Sequence, residues 1–277
     1  MIRTVLVIAL LLAAAAAPAG ELILPIFAVN AAGPDGTRRS TEVYLVNPEP
    51  EPVQVAVAGL LPGRIRGAAP CSTGAAQTRV VPPRSAVVWT ASGLAADLGC
   101  ADEVVGALLL RADGPVRVVG RVVQTPDVGR AVPSGALSGG GQEVEALPVD
   151  ALPGPGTLLL PALLWHRNAC GFTAFSSAIG FANPGPAPVT AVLDIPGESR
   201  RAMRVDGREV SLPYRLVLEA GRWSELQLAP LDLPEETCLD PESFDLEVVV
   251  DGPVAVYGTA VDRWSLDGRT VEPVELR

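Results

Sequence analysis

The chain has no lysine, a single histidine and four cysteines among its 277 residues. All 21 basic residues are therefore arginines, so no side-chain amine is present to act as nucleophile, base or Schiff-base partner. His166 stands alone in the loop-like stretch Trp165-His166-Arg167-Asn168, and its repeat counterpart is Asn30. No G-x-S-x-G surrounds any serine, so a Ser–His triad has no foothold. With no C-x2-C spacing and one histidine, a zinc site lacks ligands, and no cofactor is implied. Aromatic residues make up only 4%, which reduces the tryptophans able to stack on a sugar to Trp89, Trp165, Trp223 and Trp264. No long stretch carries an i, i+3, i+4, i+7 apolar pattern free of Pro and Gly. Helices are expected to be short or absent.

Charge is one-sided as well. Against 31 acidic residues the arginines leave a net charge of −10. Such a surface argues against binding a phosphate backbone and against anionic membranes. Nucleic acid is excluded as a ligand. The densest acidic run, Glu235-Glu236-x-x-x-Asp240-x-Glu242-x-x-Asp245, lacks the D-x-D-x-D-G spacing of a calcium loop and reads as a solvated loop.

The first segment reads as a secretory address. Arg3 gives a positive start, Val5–Ala17 an apolar run and Ala17-Pro18-Ala19 a small-x-small cleavage pattern. Residues 1–19 are expected to be removed, which leaves an exported soluble chain, secreted or periplasmic. The apolar run is too short for a stable span, so no membrane insertion is expected. No cysteine follows the cut to carry a lipid.

What the chain does have is a duplication. Leu22–Val53 and Leu158–Val189 align without a gap, Pro25 and Asn47 standing 136 residues before Pro161 and Asn183. Asn47-Pro48-x-Pro50-x-Pro52-Val53 recurs as Asn183-Pro184-x-Pro186-x-Pro188-Val189, and Ser40 as Ser176. Farther on, Asp113-Gly114-Pro115-Val116 recurs as Asp251-Gly252-Pro253-Val254, now 138 apart. Apolar residues alternate along Val53–Ala58, Val116–Val123 and Val254–Val261, the period of a half-buried strand. Asp-Gly between apolar runs signals a hairpin, because glycine accepts positive φ freely. Asn-Pro ends a strand: the amide bonds the backbone beyond it, and Pro removes a ladder donor. About seven or eight short strands per half read as an antiparallel β-sandwich, all-β and in tandem. The expected boundaries are 20–149 for the first module, 150–156 for a linker and 157–277 for the second. Pro126–Gly141 is a long loop within the first module, and Glu143–Leu147 its last strand.

Asn183-Pro184-Gly185-x-Ala187-Pro188-Val189-Thr190, with Gly252-Pro253-Val254-x-Val256-Tyr257-Gly258, Val261-Asp262 and Asp267-Gly268, resembles a group of secreted bacterial proteins built from tandem Ig-like β-sandwich repeats. The first module departs at Glu49, in place of Gly, and at Val119, in place of Tyr257. The resemblance implies this fold and export. It assigns no activity.

Four cysteines in an exported chain imply two disulfides. Cys100 and Cys238 are equivalent, 138 residues apart, whereas Cys71 and Cys170 are not. Bridges within a module favour Cys71–Cys100 and Cys170–Cys238; the other two pairings are compatible with the sequence too. Trp89 and Trp223 fall at near-equivalent places in corresponding strands, which points to packing. The first loop of each copy diverges most sharply, Asn30–Arg39 against His166–Phe175. The second offers Trp165, His166, Arg167, Asn168, Phe172 and Phe175 beside Cys170, a pre-organised binding candidate. The expectation is a non-catalytic exported binding, adhesion or cell-envelope structural protein with a protein or envelope-glycan partner. The rival is a carbohydrate-active protein, either a glycan-binding module or a hydrolase with a carboxylate pair.

Overall fold

A computed structural model of the chain describes residues 19–32, 37–63, 71, 77–100, 103–126, 141–165, 175–197, 202–230, 242–262 and 268–276. The chain separates into two compact units. One comprises Met1–Ala32, Arg39–Val122 and Glu143–Ala151; the other comprises Gly33–Arg38, Val123–Gln142 and Leu152–Arg277. Each is built from antiparallel strands, so the all-β sandwich expected from the alternation is what forms.

The first copy contributes β1 (Gly20–Val29), β2 (Ala31–Ala32), β3 (Thr37–Asn47), β4 (Val53–Pro62), β5 (Thr78–Val81) and β6 (Ser85–Trp89). A helix α1 (Ala91–Asp97) follows, then β7 (Val104–Ala112), β8 (Arg117–Pro126), β9 (Gly141–Glu145) and β10 (Leu147–Pro148). Its sheets run β10-β1-β7-β4-β5 and β2-β3-β8-β9, with β6 pairing β3. The second unit contributes β11 (Gly156–Trp165), β12 (Phe175–Asn183), β13 (Val189–Asp194), β14 (Ala202–Val205), β15 (Arg208–Ser211) and β16 (Tyr214–Leu218). It closes with β17 (Arg222–Pro230), β18 (Glu242–Val250), β19 (Ala255–Asp262), β20 (Gly268–Val271) and β21 (Val274–Leu276). Its sheets run β16-β13-β18-β11-β21 and β15-β14-β17-β12-β19-β20.

The two copies repeat the pairing of their central strands. Leu22↔Leu110 in one register becomes Leu158↔Val248 in the other. The register shifts after Leu24 and again after Leu160, each time at the following Pro, which has no N–H for the ladder. Period-two alternation sends Val53, Val55 and Val57 inward in the first copy and Val189, Ala191 and Leu193 in the second. Gly258 faces the opposite sheet so closely that a Cβ there would lie 2.9 Å from Leu163 Cδ2 and 3.4 Å from Leu160 Cδ2.

The duplicated Asn is a staple between three segments. Asn47 Nδ2 donates to the carbonyls of Glu51, Val81 and Pro82, and its Oδ1 accepts from Glu49 N. Asn183 does the same with Ala187, Leu218 and Glu219, and accepts from Gly185 N. Both are fully buried, which is tolerable because every polar atom of the amide is used.

The Asp-Gly turns depart from expectation. Strands β7 and β8, and likewise β18 and β19, lie in opposite sheets, so Asp113-Gly114 and Asp251-Gly252 are arches between sheets rather than hairpins. The aspartate reaches back across its own sheet. Asp113 Oδ1 accepts from Gln54 N at 2.7 Å, and Asp251 Oδ1 from Thr190 N at 2.6 Å. Glycine serves here by its small size rather than its φ: a Cβ on Gly114 or Gly252 would lie 3.0 Å from Val53 Cγ2 or Val189 Cγ2. Among the described residues a two-residue Asp-Gly hairpin lies elsewhere, between β14 and β15. There Asp206 and Gly207 both take positive φ, at 51° and 78°.

Candidate functional site

The loop singled out by the sequence joins β11 to β12. His166, Arg167, Asn168, Cys170 and Phe172 lie outside the described residues, as do Trp264, Cys238 and the acidic residues Glu235, Glu236 and Asp240. Trp165 and Phe175 are the last and first strand residues on either side of the loop. Their backbones pair with Glu242 and Asp262.

The base beneath this loop is described in detail. Ser177 Oγ accepts from Leu164 N at 2.9 Å and donates to Leu164 O at 2.7 Å, tying the two strand ends together. In the first copy Thr41 holds the matching place and accepts from Ala28 N. Two residues upstream, Ala162 takes positive φ of 53°, a region that L residues enter only when neighbours hold them there. Asp245 Oδ1 accepts from Ala162 N at 2.8 Å, and the Arg269 guanidinium donates to Ala162 O. The first copy has no positive φ at Ile26, the equivalent position. This bracing by Asp245 and Arg269 was not expected from the sequence; the only signal was that Pro161 repeats Pro25 while Ala162 does not repeat Ile26.

The tryptophans separate. Strand β6 pairs Asn47 with Ser85 and Val43 with Trp89, whereas β17 pairs Asn183 with Arg222 and Ala182 with Trp223. In that register Trp89 matches Leu226, and Trp223 matches Ala86. The two are three places apart on a two-residue period, so they point to opposite faces of their sheets. Trp89 turns into the core, where its indole Nε1 donates to Asp97 Oδ2 at 3.0 Å. The Arg79 guanidinium sits 5.3 Å from the ring and 3.6 Å from the same carboxylate. Thr90 caps the short helix behind it by accepting from Gly93 N.

Trp223 lies on the outer face of its sheet with Glu225 and Tyr257. The Tyr257 ring covers Gly180, where a Cβ would come within 2.0 Å of the ring, and its hydroxyl donates to Glu225 Oε2 at 3.4 Å. Trp223 is 6% and Tyr257 2% exposed, so neither offers an open stacking surface for a sugar. The described residues thus hold no exposed aromatic strip.

Among the described residues two ionisable groups are shifted. Burial, then the neighbouring Glu42 carboxylate, pushes the Tyr44 hydroxyl up, and Arg121 partly opposes this. The backbone N–H of Thr190, followed by its side chain, holds the Asp251 carboxyl below its ordinary value. Among the described residues no group of three or more His, Cys, Asp or Glu is placed to hold a metal.

Cys71 and Cys100 form the disulfide favoured by the sequence. Together with the sandwich fold it defines a β-rich protein with an oxidised cysteine pair, the chemistry of extracytoplasmic compartments. Among the described residues no helix is long and apolar enough to cross a membrane. No protein-family model matches the chain, and no curated protein matches it. Solved structures similar to it include the C-terminal domain of the Streptococcus pyogenes antigen I/II-family protein AspA, at 9% identity and a TM-score of 0.21 over 95% of this chain and 100% of that one. Another is the C-terminal domain of the Streptococcus agalactiae AgI/II polypeptide BspA, at 14% identity and a TM-score of 0.21 over 91% and 99%. Overlap at that score carries no argument about function.

Proposed function

We propose that the chain is an exported, non-catalytic binding or cell-envelope structural protein, secreted or periplasmic, whose recognition resides in the β11–β12 loop. The observation that carries this reading is the braced loop base. Ser177, Asp245 and Arg269 hold the backbone of Ala162 and Leu164 in the second copy, while the first copy lacks the positive φ that this bracing sustains. A loop held at its root loses less entropy when it binds, which favours recognition there. The loop offers Trp165, His166, Arg167 and Asn168, side chains suited to a protein or envelope-glycan partner. Cys170 paired with Cys238 would add a second tether. The proposed modules are 20–149 and 157–277, joined by 150–156.

The test is a Trp165→Ala, Arg167→Ala double variant, examined on a glycan array and in pull-downs from native envelope. Lost capture with an unchanged circular dichroism spectrum is the expected result. Unchanged capture with unchanged folding removes the loop from consideration. Turnover of a glycan on the array would favour the carbohydrate-active alternative.

A further inference from the structure

Strand β20 is four residues long and ends its sheet, paired in the ladder with β19 alone among the described residues. With one ladder neighbour, its placing rests on side chains as well. Alternation divides those side chains between two directions. Arg269 and Val271 turn toward β11: the Arg269 guanidinium donates to Ala162 O, and Val271 packs in the core with Leu160 and Leu163. Gly268 and Thr270 turn the other way, to Gln142 at the start of β9. Gln142 Nε2 donates to Thr270 Oγ1 at 3.1 Å, and a Cβ on Gly268 would lie 3.2 Å from Gln142 Cβ. Gln142, Ala162 and β20 all belong to one compact unit.

The polar amide of Gln142 is what needs explaining. Gln142 is 3% exposed, as is Val144 two places on, so alternation alone asks for an apolar side chain there. A buried amide is tolerated where a partner holds it, and Thr270 is that partner. Val144-Glu145 recurs as Val271-Glu272, which sets Gln142 at the repeat position of Arg269. One place in the repeat thus has two uses. In the second copy its side chain braces the root of the β11–β12 loop; in the first it reaches the strand that carries that brace.

We propose that Gln142 is a positioning residue for the β11–β12 loop, acting through β20 on the contact between Arg269 and Ala162. The premise is the reading of that loop as the recognition element. Gln142 holds Thr270, the strand fixes Arg269 between Gly268 and Thr270, and Arg269 with Asp245 sustains the positive φ of Ala162. A side chain outside the loop then sets how readily the loop root opens, and with it the entropy lost on binding. Every link is a hydrogen bond or a covalent neighbour, so the coupling is open to measurement link by link.

Amide hydrogen exchange of the full chain, followed by NMR, reads the loop root without a ligand, because Ala162 N–H donates to Asp245 and Leu164 N–H to Ser177. Gln142→Met keeps the length of the side chain and removes its donor. It should speed exchange at Ala162 by about two- to tenfold, the scale of one net hydrogen bond, and change the β13–β18 ladder amides less. Thr270→Val should do the same, and it carries the test should Gln142→Met fail to fold. Arg269→Ala should speed exchange too, and adding Gln142→Met to it should bring no further change, since the two act in series. Unaltered exchange at Ala162 overturns the proposal. So does a uniform change across both ladders, which a plain loss of stability produces, or effects of Gln142→Met and Arg269→Ala that multiply. Native-envelope pull-downs separate the proposal from its premise. Capture lost with Trp165→Ala, Arg167→Ala but kept in full with Gln142→Met overturns the proposal. Faster exchange with capture that neither variant alters leaves the coupling standing and removes the recognition reading instead.

Discussion

Asn183→Ala removes four hydrogen bonds with one small change, and the structure separates their weights. The amide nitrogen donates at 2.8 Å to Ala187 O, at 3.1 Å to Leu218 O and at 3.2 Å to Glu219 O. The Leu218 bond lies in the buried interior, where water does not replace a lost donor. Leaving that carbonyl unsatisfied costs about 1–3 kcal/mol, and the two part-buried bonds add about 0.5 kcal/mol each. The expected loss is about 2–4 kcal/mol, or roughly 8–15 °C in Tm for a domain of this size. Asn183→Asp keeps the oxygen that accepts from Gly185 N but turns a second oxygen toward three carbonyls. At neutral pH it should therefore cost more than the alanine. Urea denaturation followed by circular dichroism reads both, and Asn47→Ala should behave alike because its partners repeat. A loss below about 0.5 kcal/mol for Asn183→Ala, or Asp tolerated better than Ala, would refute the staple.

Gly180→Ala forces the Tyr257 ring away and should destabilise by about 2 kcal/mol or more; pairing it with Tyr257→Ala should cost less than the two changes summed, in the same urea assay. The Asp251 carboxyl is held below its ordinary value, so its contribution is fully present above the ordinary carboxylate range and is lost as pH falls through the folded pKa. Urea midpoints measured through the acid range should fall less steeply for Asp251→Asn than for the wild type. The Cys71–Cys100 bridge closes a loop of sequence separation 29, so replacing both cysteines by alanine should cost about 3–4 kcal/mol. Non-reducing peptide mapping should also recover a Cys170–Cys238 link.

The core was legible because its determinants are local and written twice. Alternating valines, the Asn-Pro strand ends and the bulge prolines each act through the backbone within a few residues, so their recurrence marks equivalent places. Which strands pair is not local. An Asp-Gly turn reads the same whether it reverses within a sheet or arches between sheets, and the prolines that follow, Pro115 and Pro253, were the available warning, since they withhold a ladder donor just past the turn. The Asp206-Gly207 hairpin carries the ordinary signal but belongs to an excursion between β13 and β16 that the repeat did not mark out. The tryptophan match failed on register: a shift of three residues inverts a strand's face, and spacing between aromatics does not report it. The bracing of Ala162 joins residues 83 and 107 positions away. Nothing near Pro161 in the sequence names those partners.

The inter-sheet arches bear on how long the chain remains vulnerable before it is folded. Because β7 and β8 part company at the turn, as do β18 and β19, neither pair forms an early two-stranded nucleus. The partners of β1 lie near residue 110, and those of β11 near residue 248, so loops of some ninety residues must close before these central strands are paired. Such topologies fold in milliseconds to seconds rather than microseconds, with strand edges open meanwhile. A chain that condenses this slowly leaves Cys71 and Cys100, only 29 positions apart, free to meet an oxidant while its long-range strands are still unpaired.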